Sequence, residues 1–223
     1  MSTVLITGAN RGIGLALAQV CAGRGDDVIG VCRESSDALR KTGARIETGV
    51  DVVDDAAVAA LARRLEGVRL DALWLNAGIM QRNALGSIDS AAFAGVRRMF
   101  EVNALGPLRV AQALLTNLGN GSKVAIITSR MGSMGDNGSG GSYGYRASKA
   151  AVNAIGKSLA VDLQPRGIAV FLLHPGYVAT EMVGGKGDLT PMQSATQLVQ
   201  QVDKLDLART GTFWHGNGTA LPW

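Results

Sequence analysis

Thr7-Gly8-Ala9-Asn10-Arg11-Gly12-Ile13-Gly14 lies between the apolar run Val4-Leu5-Ile6 and a helical stretch that begins at Leu15. Glycines in a strand-to-helix turn let the backbone bend tightly and approach a ligand, and the first N–H groups of the following helix carry partial positive charge. A pyrophosphate is the ligand that such a turn suits. The spacing is G-x-x-x-G-x-G. A tight turn with close helix packing would use the same glycines, so the rest of the chain has to decide.

Outward from this turn, short β-branched or aliphatic runs at 4–7, 28–32, 45–49, 72–75, 124–128, 168–173 and 212–214 read as strands. Between them, 13–24, 56–66, 93–118, 145–163 and 192–205 carry apolar residues at helical spacing. Such alternation predicts an α/β fold, a Rossmann-type doubly wound parallel sheet of about seven strands with helices on both faces in three layers. Several strand runs are nearly all apolar, as a strand buried on both faces requires. A chain of this length fits one domain, 1–223, burying roughly 70% of its unfolded surface. The segment 132–144 is rich in glycine and reads as an active-site loop, and Thr190-Pro191 reads as a capped helix start after a second glycine-rich loop, 183–188.

Composition narrows the function classes. Charged residues make up 18% and hydrophobic residues 47% of the 223, with no long uncharged apolar run, so neither disorder nor a membrane span is expected. The run at Val4-Leu5-Ile6 is too short for a secretory core, and a cytoplasmic location is the expectation. The net charge of +4 comes from scattered Lys and Arg without a basic run or interleaved aromatics, which argues against nucleic acid. Cys21 and Cys32 have the spacing of neither a redox pair nor a zinc knuckle and are expected to be buried thiols. His174 and His215 are isolated in the sequence, and no metal site is expected.

The second strand run ends at Arg33, where a fold that prefers NAD places an acid for the ribose hydroxyl. A carboxylate would repel a 2′-phosphate, whereas a guanidinium pairs with it, and Arg11 in the glycine turn offers a second cation. The expected cofactor is therefore NADP(H). Arg33 and Arg11 as solvated charges, with Glu34 serving the ribose, is the alternative.

Tyr145-Arg146-Ala147-Ser148-Lys149 puts a phenol and an ammonium four residues apart at the start of a helical run, on one face. A fixed positive charge lowers the pKa of a phenol and fits it for proton transfer. The pattern also occurs as a solvated pair, so location matters. Ser129 follows the strand run 124–128, Asn76-Ala77-Gly78 follows 72–75, and Pro175-Gly176 follows 168–173. All lie at strand C-terminal ends, where doubly wound sheets bind ligands.

Taken together, Thr7-Gly8-x-x-x-Gly12-x-Gly14, Asn76-Ala77-Gly78, Asn103, Ser129-x-x-Gly132, Tyr145-x-x-x-Lys149 and Pro175-Gly176-x-x-x-Thr180 resemble the short-chain dehydrogenase/reductase family over residues 3 to about 182. The serine-to-tyrosine segment and the ending Gly218-Thr219-Ala220-Leu221-Pro222-Trp223 are similar to the C-factor and sniffer-like carbonyl reductases of that family. The resemblance implies an oxidoreductase acting on a small-molecule carbonyl or alcohol, assembled as a homodimer or homotetramer. It implies that Tyr145 protonates the carbonyl oxygen, that Ser129 orients it, that Lys149 holds the ribose and depresses the Tyr145 pKa, and that Asn103 anchors a water for proton relay. It further places Gly8, Asn10, Arg11, Gly12, Ile13, Gly14, Arg33, Asp51, Val52, Asn76, Ala77, Gly78, Tyr145, Lys149, Pro175, Gly176, Val178 and Thr180 along the cofactor, with Asp51 at the adenine.

Ser129 precedes Tyr145 by sixteen residues, a longer interval than the family's, which leaves Ser133 as a competitor for the serine role. The short segment after Thr180 predicts an open site tolerant of various aldehydes and ketones. Val152, Ile155, Leu159 and Leu163 give the last long helix an apolar excess that could meet a twofold mate. A sensor or C-factor-like signalling protein on the same fold is the rival reading, because fold does not fix function.

Overall fold

The apolar runs pair side by side into one sheet. In the computed structural model, which describes residues 1–223, β1 (Thr3–Thr7), β2 (Asp27–Val31), β3 (Arg45–Glu47), β4 (Leu70–Leu75), β5 (Leu118–Ile127), β6 (Ala169–His174) and β7 (Thr212–His215) stand in the order β3-β2-β1-β4-β5-β6-β7. Every pairing is parallel. Side chains alternate between the two faces, and both faces are apolar: Val4, Ile6, Trp74, Phe171 and Leu173 join one core, while Leu5, Leu73, Leu75, Val124 and Val170 join the other. Burying one such side chain stabilises the fold by about 1.5–3 kcal/mol, which is why the strand runs lack the polar alternation of a half-exposed sheet.

Helices α1 (Gly12–Gly23), α2 (Asp37–Arg40) and α7 (Pro191–Lys204) bury Leu17, Leu39 and Leu198 against the first core. Helices α3 (Asp55–Arg64), α5 (Gly106–Ala113) and α6 (Tyr143–Leu163) bury Leu61, Val110 and Val152 in the second, with α4 (Ser90–Phe100) packed on α6. The ends are defined by short polar side chains. Asp54 accepts from the amides of Ala56 and Ala57, Asp89 from that of Ala92, and Thr190 forms a capping box with Gln193 around Pro191, as its sequence predicts.

The helix expected over 93–118 is broken. After α4 the chain passes through a π-helical turn, Glu101–Leu105, restarts as α5 and enters β5 at Leu118. Pro107, which lacks an amide hydrogen and occupies the first turn of α5, marks the restart. Smaller shifts are local: α6 begins at Tyr143, β3 stops at Glu47 and β6 runs to His174. The short helix α2, capped by Ser36, has no counterpart in the apolar pattern.

Val152 and Leu163 are buried in this chain's own core and so do not form the apolar excess expected to meet a twofold mate, whereas Ile155 and Leu159 pack against that core and stay partly exposed. Both cysteines are buried and unpaired, and burial pushes the Cys21 thiol up to about 11. No helix is long and apolar enough to cross a membrane.

Strand order reverses beside β1, which has β2 on one side and β4 on the other. The crevice at the C-terminal ends of β1 and β4 is the switch point where doubly wound sheets bind ligands.

Candidate active site

The glycine turn closes on itself at this switch point. The amide of Gly8 donates to Val31 O at 2.8 Å, and Gly8 and Gly12 hold φ of +67° and +56°, a region that disfavours side chains. At Gly14 the constraint is space: a Cβ there would lie 2.1 Å from Gly8 O and 2.6 Å from Asn76 Nδ2. Asn76 spans the two strands by donating to Thr7 O at 2.9 Å and Gly8 O at 3.3 Å. Thr7 Oγ1 answers by accepting from the amides of Asn76 and Ala77. Thr7 was visible as part of the glycine motif, yet its hydroxyl gives no sequence signal of fastening β1 to β4. No side chain caps α1, whose N-cap Arg11 is extended, and its first turn holds no acid. The positive end of the helix is open to an anion.

Around the turn, Arg33 is exposed and forms no ion pair, whereas Arg11 pairs with Glu181 at 2.6 Å between two solvated side chains. Asp51 accepts from Arg98 Nη2 at 3.0 Å, and Val52 packs where a Cβ on Gly106 would come within 2.9 Å. Pro175 O accepts from Ser194 Oγ at 2.7 Å, and Gly176 turns with φ of +91°. Val178 bridges to Leu189, and Thr180 lies over the glycine turn, 3.5 Å from where a Gly12 Cβ would stand. Asn76, Ala77 and Thr180 are thus brought against the glycine turn. Asn10 contributes its carbonyl, which accepts from Ser36 Oγ at 2.7 Å, and Ile13 packs with the first core.

Beside the crevice, four polar side chains are buried together. Tyr145 is 8% exposed, Ser129 7%, Lys149 4% and Asn103 1%. The first turns of α6 bring the Lys149 ammonium to 5.9 Å from the centre of the Tyr145 ring, and its Nζ donates to Ile127 O at 2.9 Å. Burial pushes the Tyr145 phenol up to about 12, and the nearby Ser129 side chain opposes that rise. Burial also brings Lys149 down to about 8. The acidification of Tyr145 by Lys149 that the sequence implied is therefore corrected: the ammonium stands over the ring and bonds a backbone carbonyl, so desolvation prevails.

Asn103 sits in the π turn, a distortion common at functional sites. Its side chain accepts from Ile79 N at 2.8 Å and donates to Ile79 O at 2.9 Å and Ser148 Oγ at 3.0 Å. With both amide hydrogens engaged, it clamps the segment after Gly78 to α6. Ser148, whose Oγ donates to Tyr145 O at 2.9 Å, completes this clamp and was not singled out in the sequence, although it lies one helical turn from Tyr145. Gly78 leaves room at this point, since a Cβ on it would stand 3.3 Å from Asn103 Oδ1 and 3.7 Å from Lys149 Nζ.

Ser133 is drawn elsewhere. Its hydroxyl donates to Trp223 O at 3.2 Å and accepts from Asp136 N at 3.1 Å. His174 and His215, isolated in sequence, are brought together by the β6–β7 register with ring centres 4.8 Å apart. Burial, with His215 and Arg130 adding to it, holds His174 down at about 3, so it is neutral. No group of three or more His, Cys, Asp or Glu is clustered to hold a metal ion.

Known proteins resemble this chain in sequence and in fold. The short chain dehydrogenase family model matches residues 2–190. The 1-hydroxy-2-glutathionyl-2-methyl-3-butene dehydrogenase of Rhodococcus sp. (strain AD45) is 44% identical, with 100% of each chain covered. The C-signal of Myxococcus xanthus is 43% identical over 69% of this chain and 93% of its own. Among solved structures, an NADPH-bound carbonyl reductase from chicken fatty liver superposes with a TM-score of 0.89 at 27% identity, covering 100% of this chain and 99% of its own. The chain belongs to the short-chain dehydrogenase/reductase family and is an oxidoreductase by that membership.

Proposed function

We propose that the chain, as one domain over residues 1–223, is an NADP(H)-dependent oxidoreductase that reduces an aldehyde or ketone to an alcohol, reversibly. The observation that carries this reading is the burial of the Tyr145 and Ser129 hydroxyls and the Lys149 ammonium together beside the switch-point crevice. The crevice fits a dinucleotide phosphate. Its glycine turn is too tight for side chains, the start of α1 is uncapped, and the unpaired Arg33 stands at the end of β2 for a 2′-phosphate. Gly8, Asn10, Arg11, Gly12, Ile13 and Gly14 would hold the pyrophosphate side, Asp51 and Val52 the adenine side, and Asn76, Ala77, Gly78, Pro175, Gly176, Val178 and Thr180 the nicotinamide half.

The bound cofactor supplies the hydride. As negative charge grows on the carbonyl oxygen, Ser129 and Tyr145 stabilise it by hydrogen bonds, and Tyr145 then gives up its proton. A phenol held near 12 is neutral at physiological pH, yet far more acidic than an aliphatic alcohol, so the transfer to a nascent alkoxide runs downhill. Lys149 has two donors beyond the bond to Ile127 O, available for ribose hydroxyls and for the Tyr145 oxygen. Asn103 positions the segment after Gly78, and because both its amide hydrogens are engaged, any proton relay through this residue has to use its main chain or remaining lone pair.

Replacing Arg33 with Asp should raise the NADPH KM by roughly 10–100-fold, the loss of one charge-assisted contact to phosphate, and shift preference toward NADH. Steady-state kinetics with both cofactors checks this. An unaltered preference would pass the role to Glu34 and a solvated arginine.

The Rhodococcus relative favours a second substrate reading: an alcohol bearing a glutathionyl group, oxidised to its carbonyl. Turnover of a glutathione-conjugated alcohol at a rate well above simple alcohols would support it. The exposed Leu105, Leu108 and Val161 leave apolar surface for a homodimer or homotetramer, which light scattering tests.

A further inference from the structure

The segment that carries Ser129 is built from contacts with three parts of the fold. Ser129 caps a 3₁₀ turn, Arg130–Gly132, by accepting from Met131 N at 3.1 Å. Gly132 presses on α6, where a Cβ would lie 2.7 Å from the Lys149 carbonyl carbon. Further along, Arg146 donates to the carbonyls of Gly140 and Gly141, and Ser142 N bonds Asn83 O at 2.8 Å. Between these anchors, Asp136 pairs with Arg130 inside the segment, and the hydrogen bonds that residues 133–138 donate beyond it go to a single atom, the main-chain oxygen of Trp223. Ser133 Oγ reaches it at 3.2 Å and Gly135 N at 2.9 Å.

Trp223 is itself fixed to the sheet. After β7 the chain doubles back, with His215 N on Thr219 O at 2.8 Å and Leu221 N on Phe213 O at 2.9 Å. The Trp223 indole then stacks on Phe213, ring centres 5.6 Å apart and planes at 26°, and Phe213 is 2% exposed within β7. The ring thus anchors the main-chain oxygen that receives the loop.

We propose that Trp223 is a positioning residue for Ser129: by stacking on Phe213 it holds the oxygen that fixes Ser133 and Gly135, and so sets the Ser129 hydroxyl against Tyr145. This rests on the carbonyl-reductase reading of the site. The long serine-to-tyrosine interval gives the need for such a clamp, because a glycine-rich loop of this length has little stiffness of its own. Ser129 lies next to the turn rather than in the sheet, so a displacement of the turn moves its hydroxyl directly. Misplacement of a reacting group by about 1 Å can cost 10²-fold in rate.

The test compares Trp223→Ala with Trp223→Phe, which keeps a stacking ring. Three readouts are needed: kcat and KM for the fastest member of an aliphatic, aromatic and quinone carbonyl panel, NADPH affinity by fluorescence titration, and hydrogen exchange at the Gly135 amide. Trp223→Ala should lower kcat by roughly ten- to hundredfold, leave NADPH affinity within about twofold because none of the clamp residues is assigned to the cofactor, and speed Gly135 exchange. Trp223→Phe should restore kcat and protection. Faster Gly135 exchange with unchanged kcat would overturn the proposal, as would parallel loss of NADPH affinity and of protection throughout the sheet, or failure of Phe to rescue. Wild-type protein that binds NADPH but turns over no carbonyl would overturn the reductase reading and this role with it, even if the exchange result showed the clamp.

Discussion

Tyr145→Phe should lower kcat for carbonyl reduction by roughly 10²–10⁴-fold, the span that a positioned proton donor contributes, while NADPH binds as in the wild type. The substitution removes one oxygen from a side chain that is 8% exposed and keeps the ring that packs at the start of α6. The Lys149 ammonium, 5.9 Å from the ring centre and bonded to Ile127 O, has no cause to move. Ser129 retains its own contact with Met131 N, so part of the stabilisation of the carbonyl oxygen persists, which is why the loss is finite. Single-turnover rates and a fluorescence titration separate chemistry from binding. Residual kcat above about a tenth of wild type would remove Tyr145 from the proton-transfer role.

Gly14→Ala should act on the opposite side of the site, through the backbone. The added carbon would meet Gly8 O at 2.1 Å, Asn76 Nδ2 at 2.6 Å and the Gly8 carbonyl carbon at 2.8 Å, and two of these atoms are main chain. Either α1 retreats from β1 or the turn opens, and both disturb the bond from Asn76 to Gly8 O. Overpacking of this kind costs about 1–3 kcal/mol. For a chain of this size that lowers Tm by roughly 2–12 °C. Because the turn is where the pyrophosphate would lie, NADPH affinity should fall by at least about tenfold, more than the loss of stability alone would cause. Thermal melts with and without NADPH measure both effects. An unchanged NADPH affinity would show that the turn is only a packing device.

The parallel sheet was legible because its determinants are local: apolar runs of strand length, helical periodicity between them, and glycines at the first strand-to-helix turn. The break at Glu101–Leu105 was not, since the π turn is held by Asn103 bonding to Ile79 and Ser148, partners distant in sequence. Pro107 was the readable sign of a restart. The tyrosine and lysine were found from their spacing, which fixes a shared helix face but not the depth of burial, and burial sets the direction of both pKa shifts. In the same way, Val152 and Leu163 read as surplus apolar residues until the sheet was assembled over them. The meeting of His174 with His215, and of Trp223 with Ser133, depends on strand register and chain reversal that no short window of sequence displays.

Carbonyl-dependent NADPH oxidation by the wild-type chain, followed from about pH 6 to about pH 10, tests the account most directly. Tyr145 remains protonated across this range, whereas Lys149, brought down to about 8, is charged below that pH and neutral above it. The predicted result is turnover of at least one aldehyde, ketone or quinone, with kcat/KM level in acid and falling as the pH rises through about 8. NADPH binding without oxidation at any pH, or a rate that climbs through the same interval, would contradict it.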